Sequence, residues 1–290
     1  MSSPLDPAAV VAALPGASRV VVVPRTASTS TDLATGARTD PAAWPDGSVL
    51  VADHQAAGRG RAGRTWETPP GTALTVSVLL RPTAGADRLG WVPLLTGLAV
   101  VRAVNETAGV RAAVKWPNDV LVPAPDGAVL EGWGAWRKVA GVLAEVVVPD
   151  GAPAGSPPAV VVGVGVNVAQ AAEDLPVPSA ASLRGVGADV DRTTLLGVLV
   201  RHLLALDDRW RAGDPSLGAE VGAVCATLGA AVSVDLPGGR VLTGTAAGLA
   251  DDGALVVVDA AGRRHEVHAG DVRHVRAAGA QGPGPGAGRG

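Results

Sequence analysis

Between Gln55 and Trp66 the chain reads Gln-Ala-Ala-Gly-Arg-Gly-Arg-Ala-Gly-Arg-Thr-Trp, setting the guanidinium groups of Arg59, Arg61 and Arg64 among Gly58, Gly60 and Gly63. Glycine lets a backbone approach a ligand and offer its N–H groups, and arginine adds fixed positive charge, so this segment is suited to hold an anion. Alone, it specifies only phosphate or carboxylate. A solvated loop with arginines in water reads the same way. RNA-binding Arg/Gly segments are longer and repeated, whereas this one lies between two strand patterns.

Three further segments add chemistry. In Lys115-Trp116-Pro117-Asn118-Asp119, Pro117 fixes φ, Trp116 can wall a pocket, Lys115 can meet phosphate and Asp119 a metal ion, although the pentapeptide also reads as a charged, Asn/Asp-capped turn. Arg137-Lys138-Val139-Ala140-Gly141-Val142-Leu143-Ala144-Glu145 puts a positive pair at the start of an apolar strand, with Lys138 at the rim of a buried surface. Lysine at a strand end is commonly a solvated edge residue. Gly163-Val164-Gly165-Val166-Asn167 gives up side-chain packing at alternate positions, the pattern of a strand whose backbone something approaches closely.

The elements that must position these segments follow from hydrophobic period. Apolar or β-branched runs predict strands at 19–23, 48–52, 72–80, 110–115, 120–122, 139–148 and 159–168. The hydroxyl-rich segment 26–32 predicts a helix starting near Thr31. Helical spacing of Leu94, Leu95, Leu98, Val101 and Val104 predicts a helix over 91–104, and Leu195, Leu196, Leu199, Leu203, Leu206 and Trp210 predict one over 193–210. Residues 123–136 read as a long hairpin loop and 149–158 as an exposed turn. From Gly229, short strands separated by Pro237-Gly238-Gly239, Asp252-Gly253 and Ala261-Gly262 predict a small β-barrel.

The 290 residues carry a net charge of −3, so nucleic acid is not attracted globally and is not expected as a partner. Seven Trp stand where there is no Phe or Tyr, and the lone Cys225 permits no internal disulfide, as expected of a reducing, cytoplasmic compartment. Pro4, Asp6, Pro7 and Pro15 break any secretory signal, and no apolar run is long enough to span a membrane. The five histidines lack metal-ligand spacing; His54 alone stands beside a motif.

In this order, Gln-x-x-Gly-Arg-Gly-Arg-x-Gly-Arg-x-Trp, Lys-Trp-Pro-Asn-Asp, Arg-Lys-x-Ala-Gly-x-Leu-x-Glu and Gly-x-Gly-x-Asn resemble the signature series of biotin protein ligases of the monofunctional type, without an N-terminal DNA-binding domain. The resemblance implies an α+β fold: a central mixed β-sheet with packed helices, like the catalytic domain of class II aminoacyl-tRNA synthetases, then a small SH3-like β-barrel. The expected division is a catalytic domain over 1–227, the barrel over 228–276 and a disordered Gly/Pro/Ala tail over 277–290. The implied reaction uses ATP, Mg²⁺ and biotin and modifies a lysine of a biotin carboxyl carrier protein, by a monomer or homodimer.

The resemblance also implies roles. Ser28, Thr29 and Ser30 occupy a biotin-contacting Ser-Thr-Asn segment, with Ser30 replacing the Asn. Gln55 would contact biotin; Gly58, Arg59, Gly60, Arg61 and Arg64 would form a loop closing over biotin and the adenylate, and Trp66 would support the adenine. Lys115, Asn118, Asp119 and Asn167 would serve ATP and Mg²⁺, with Asp119 as the metal ligand. Gly141, Gly163 and Gly165 belong to the binding surface, and Lys138 and Arg61 are the catalytic candidates. The 123–136 loop is longer than the family's and carries no implied role.

Other readings remain distinguishable. A lipoate or octanoate ligase would share the fold, and the Gly-Arg-Gly-Arg loop argues against it. A biotin-responsive transcription regulator needs a helix-turn-helix unit, for which the residues before Arg19 are too few. A non-catalytic binding module would not need Lys138 together with Lys115 and Asp119.

Overall fold

The computed structural model describes residues 4–274 apart from Ala84, Ala154 and Pro237. The expected tail at 277–290 lies outside the described residues, as does Pro237 of the first barrel turn. The chain opens on a short helix, α1 (Pro7–Ala13), with Pro7 in its first turn and the Asp6 carboxylate accepting from Ala8 N. Strand β1 (Arg19–Thr26) follows. Helix α2 (Thr29–Thr39) starts two residues before the expected Thr31, because extended Ser28 caps it by accepting from Thr31 N.

Next come β2 (Ser48–Gln55), the two-residue strands β3 (Gly58–Arg59) and β4 (Thr65–Trp66), and β5 (Ala73–Leu80). Helix α3 (Trp91–Ala108) ends at Gly109, whose φ of 63° is left-handed. Strand β6 (Ala113–Lys115) begins later than the expected Val110, since Ala112 N donates back to Asn105 Oδ1 and residues 110–112 serve the turn. Strands β7 (Asp119–Pro123), β8 (Trp136–Val147) and β9 (Ala159–Asn167) complete the sheet. Helices α4 (Arg192–Arg211) and α5 (Leu217–Val224) lead to β10 (Ala231–Asp235), β11 (Val241–Leu249), β12 (Leu255–Val258), β13 (Arg264–Val267) and β14 (Asp271–His274).

The central sheet runs β1-β2-β5-β9-β8-β7-β6. The β1–β2 pair is parallel and the others antiparallel, so the sheet is mixed. Alternate strand residues face opposite sides. One side, with Val49, Val51, Val76, Val78, Val162 and Val164, joins Leu94, Leu98, Leu195 and Leu199 of α3 and α4 in the main core. On the other, Leu50, Leu79 and Val161 meet Leu33 and Ala37 of α2. Helix α2 covers only part of that side, and the glycine strip of β8 and β9 is left beside it.

The second sheet, β13-β12-β11-β10-β14, is antiparallel around Val232, Val234, Leu255, Val257 and Val272. It docks on the first through two indoles: Trp91 Nε1 donates to Asp251 O at 2.8 Å and Trp116 Nε1 to Gly253 O at 3.1 Å. Cys225 is buried and free. Among the described residues no helix is long and apolar enough to cross a membrane.

Candidate active site

Cross-strand register builds the floor. Ser77 and Leu143 flank Gly163, and Thr75 and Gly141 flank Gly165, all on the side of the sheet that carries α2. A methyl group on Gly163 would collide with Ser30 Oγ, and one on Gly165 would lie 2.5 Å from Trp66 Cε2. The alternating glycines are therefore filled from above by Ser30 and by the Trp66 indole. Trp66, expected beside adenine, lies across the floor, and its buried Nε1 has no hydrogen-bond partner among the described residues.

At one end, hydroxyls and an amide interlock. Gln55 Oε1 accepts from Thr29 N at 2.8 Å and from Thr29 Oγ1 at 2.9 Å, and the Ser77 hydroxyl lies 2.8 Å from that of Thr29 and 3.0 Å from that of Ser30. In the centre, Lys138 Nζ is 2.6 Å from Asp119 Oδ1 and 5.5 Å from the Trp66 ring centroid. Asn118 fixes the turn by donating to Val142 O at 2.8 Å and accepts from Arg61 Nη1 at 3.2 Å. Burial lowers the affinity of the Arg61 guanidinium for its proton, with the charges of Asp271 and Asp119 opposing. At the far end Lys115 is buried, which depresses its pKa against the pull of Asp119, and its ammonium lies 4.3 Å from the centroid of the Trp133 ring.

The arginine loop is a tight hairpin. Gly58 pairs with Trp66 and Arg59 with Thr65. Arg59 reaches Glu145 at 2.6 Å, and Arg64 pairs with Asp271 of the barrel. Together these parts enclose a cavity of about 540 Å³. Every candidate residue named from the sequence lines it except Gly58, which is buried where a side chain would strike Trp66 O. Asn167 lines the cavity with its amide already engaged: Nδ2 donates to Ala181 O at 3.0 Å and Oδ1 accepts from Gln170 at 2.9 Å. It shapes the loop after β9, whose Pro176, Val177 and Ala180 form part of the wall.

Sequence reasoning missed Ser77, which supports Thr29 and Ser30 from beneath, and gave no role to the cavity-lining Trp133, the 176–180 wall and the barrel residues Asp235, Asp271 and Arg273. Ser77 had a signal, since with Thr75 it puts hydroxyls on one face of an otherwise apolar strand. The barrel residues had none, because only the docking of the second sheet brings them to the cavity.

The cavity thus has hydroxyls and an amide at one end, the Lys138–Asp119 pair in its centre and buried Lys115 at the far end, with the arginine hairpin along its rim. The family model for the Biotin/lipoate A/B protein ligase family matches residues 22–167, and that for the Biotin protein ligase C terminal domain matches residues 227–275. The chain belongs to the biotin/lipoate A/B protein ligase family, and its two matched regions put it with the biotin protein ligases. It is 40% identical to the biotin–[acetyl-CoA-carboxylase] ligase of Mycobacterium tuberculosis over 260 residues, 88% of either chain. It superposes on the biotin protein ligase of Aquifex aeolicus in complex with biotin and ATP with a TM-score of 0.69 and 26% identity, over 89% of this chain and 99% of that one. With the Leishmania major biotin protein ligase in complex with biotinyl-5-AMP the TM-score is 0.55 at 25% identity, over 86% and 97% of the two chains.

Proposed function

We propose that this chain converts biotin and Mg-ATP to biotinyl-5′-AMP and pyrophosphate, then transfers biotin to a lysine of a biotin carboxyl carrier protein. The observation that carries the reading is Lys138, paired with Asp119 over the Gly141–Gly165 floor and set between the hydroxyl-lined end and buried Lys115. Ser28, Thr29, Ser30 and Gln55 take the uncharged biotin ring. Lys115, with Asn118 and Asp119, faces the triphosphate. The proposed catalytic domain supplies most of the cavity, and β10 and β14 of the barrel supply its outer rim through Asp235, Asp271, Val272 and Arg273.

In the first step a biotin carboxylate oxygen attacks the α-phosphorus, and the bond from that phosphorus to the oxygen bridging to the β-phosphate breaks, releasing pyrophosphate. Two anions must meet. At an effective dielectric of about 20, unit charges roughly 4 Å apart repel by about 4 kcal/mol. Lys138 and Arg61 offset that repulsion, an effect worth about a thousandfold in rate. In the second step the carrier lysine amine attacks the acyl carbon, the C–O bond to AMP breaks and the amine loses its proton.

No group of three or more acidic, His or Cys side chains among the described residues could hold a metal ion alone. Mg²⁺ bound with the triphosphate would find a protein ligand in Asp119 and would supply charge that screens the phosphates. Biotin-dependent exchange of labelled pyrophosphate into ATP tests the reading, with lipoate and octanoate as alternative acids. Exchange with biotin alone is expected; exchange with the other acids instead would move the substrate, and biotin binding without exchange would overturn the catalytic reading.

A further inference from the structure

The hairpin of residues 123–136, between β7 and β8, has no part in the scheme above. Its tip is nonetheless built into the site. Leu130 pairs with Gly134 and Gly132 with His274 of β14, with His274 N donating to Gly132 O at 3.2 Å. Arg137 braces the hairpin from its base by donating to Ala128 O at 3.0 Å. Between these supports stands Trp133, whose ring centroid lies 4.3 Å from Lys115 Nζ.

Lys115 is only 7% exposed. Asp119, the carboxylate that most opposes the effect of burial on it, is paired with Lys138. An indole face attracts an ammonium through its quadrupole without accepting its N–H donors or neutralising its charge. A carboxylate in the same place would do both and would compete with an incoming anion. The ring thus holds the cation in place and leaves its charge available to the cavity.

We propose that Trp133 is a positioning residue of the nucleotide half-reaction: through its ring face it fixes the Lys115 ammonium as a contact for the polyphosphate of ATP, and the Gly132–His274 pairing fixes the ring. The proposal rests on the reading of Lys115 as a phosphate contact. It gives the long hairpin a role and makes the barrel an indirect support of nucleotide binding.

The test is steady-state pyrophosphate exchange by the full chain, with ATP and biotin varied separately. Trp133→Leu is expected to raise the KM for ATP about tenfold, with the KM for biotin within about twofold of the wild type. Trp133→Phe keeps a π face and is expected to retain most of the affinity. In a Lys115→Ala background Trp133→Leu is expected to add nothing. Trp133→Met, apolar without a π face, stands in if the leucine variant does not fold. An unchanged KM for ATP in Trp133→Leu, an equal loss with and without Lys115, or no advantage of Phe over Leu would each overturn the proposal while leaving biotin activation intact. A Lys115→Ala variant with the wild-type KM for ATP would remove its premise and overturn it as well. Absence of exchange in the wild type would overturn the functional reading and this proposal together.

Discussion

Lys138 Nζ lies 2.6 Å from Asp119 Oδ1, so the cation assigned to the reacting anions and the carboxylate assigned to Mg²⁺ hold each other. In the proposed scheme Asp119 would hold Mg²⁺ and Lys138 would face the incoming carboxylate. One pair then stores both charges in register without leaving either unpaired in a half-buried site.

Lys138→Ala is expected to lower the exchange rate about a thousandfold. Because the pair is partly exposed, the thermal midpoint is expected to move little, by an amount corresponding to about 1 kcal/mol. Exchange kinetics and thermal unfolding on one preparation check this. Near-normal pyrophosphate release would remove Lys138 from the chemistry.

Asp119→Asn separates the two roles. The Mg²⁺ concentration for half-maximal exchange is expected to rise about tenfold, whereas Lys138→Ala, which releases Asp119 from its pair, is not expected to raise it. A Mg²⁺ titration of both variants decides, and identical curves for Asp119→Asn and the wild type would rule Asp119 out as a ligand.

Gly163→Ala is expected to destabilise the fold by about 1–3 kcal/mol, because the new methyl group collides with Ser30 Oγ. Removing that oxygen with Ser30→Ala leaves the next contact, Ser77 Oγ, at 3.5 Å. The double variant is therefore expected to recover most of the loss in urea unfolding, and an additive double loss would contradict the packing described.

His274 is held neutral by burial and by the charge of Lys115, its pKa falling from 6.5 to about 4. Between those values the unfolded chain binds the proton and the folded chain does not, so stability is complete above pH 6.5 and falls as the pH drops toward 4. After allowance for partial exposure the loss is on the order of 1–2 kcal/mol. His274→Gln is expected to flatten the difference in unfolding free energy between pH 7 and pH 4.5 by about that amount, and an unchanged pH slope would show that the imidazole does not contribute.

The strand and helix patterns were legible because the core is almost wholly Val, Leu and Ala with clean alternation, as in β5 and α4. The four motifs were legible because their residue types are costly anywhere else: glycines within a buried strand and a lysine at the edge of an apolar one. Helices α1 and α5 were not, since a seven- and an eight-residue helix carry too few turns to declare a period. The engagement of Asn167 with Ala181 and Gln170 was also hidden, because a side-chain amide reads equally as a ligand contact or a structural brace. The role of Trp133 in the 123–136 loop was hidden because its partner Lys115 is on β6, brought close only when β6, β7 and β8 pair.

The two indoles that reach the 251–253 turn make the halves of the molecule dependent on one another. Gly253, at φ 86°, approaches Gly90 so closely that a Cβ would lie 2.9 Å from the Gly90 carbonyl carbon, so the two segments meet backbone to backbone. Cutting the chain ahead of the barrel would strand the Trp91 and Trp116 N–H groups and uncover the apolar surface around them. The intact chain is therefore expected to melt in a single transition, barrel and central sheet unfolding together.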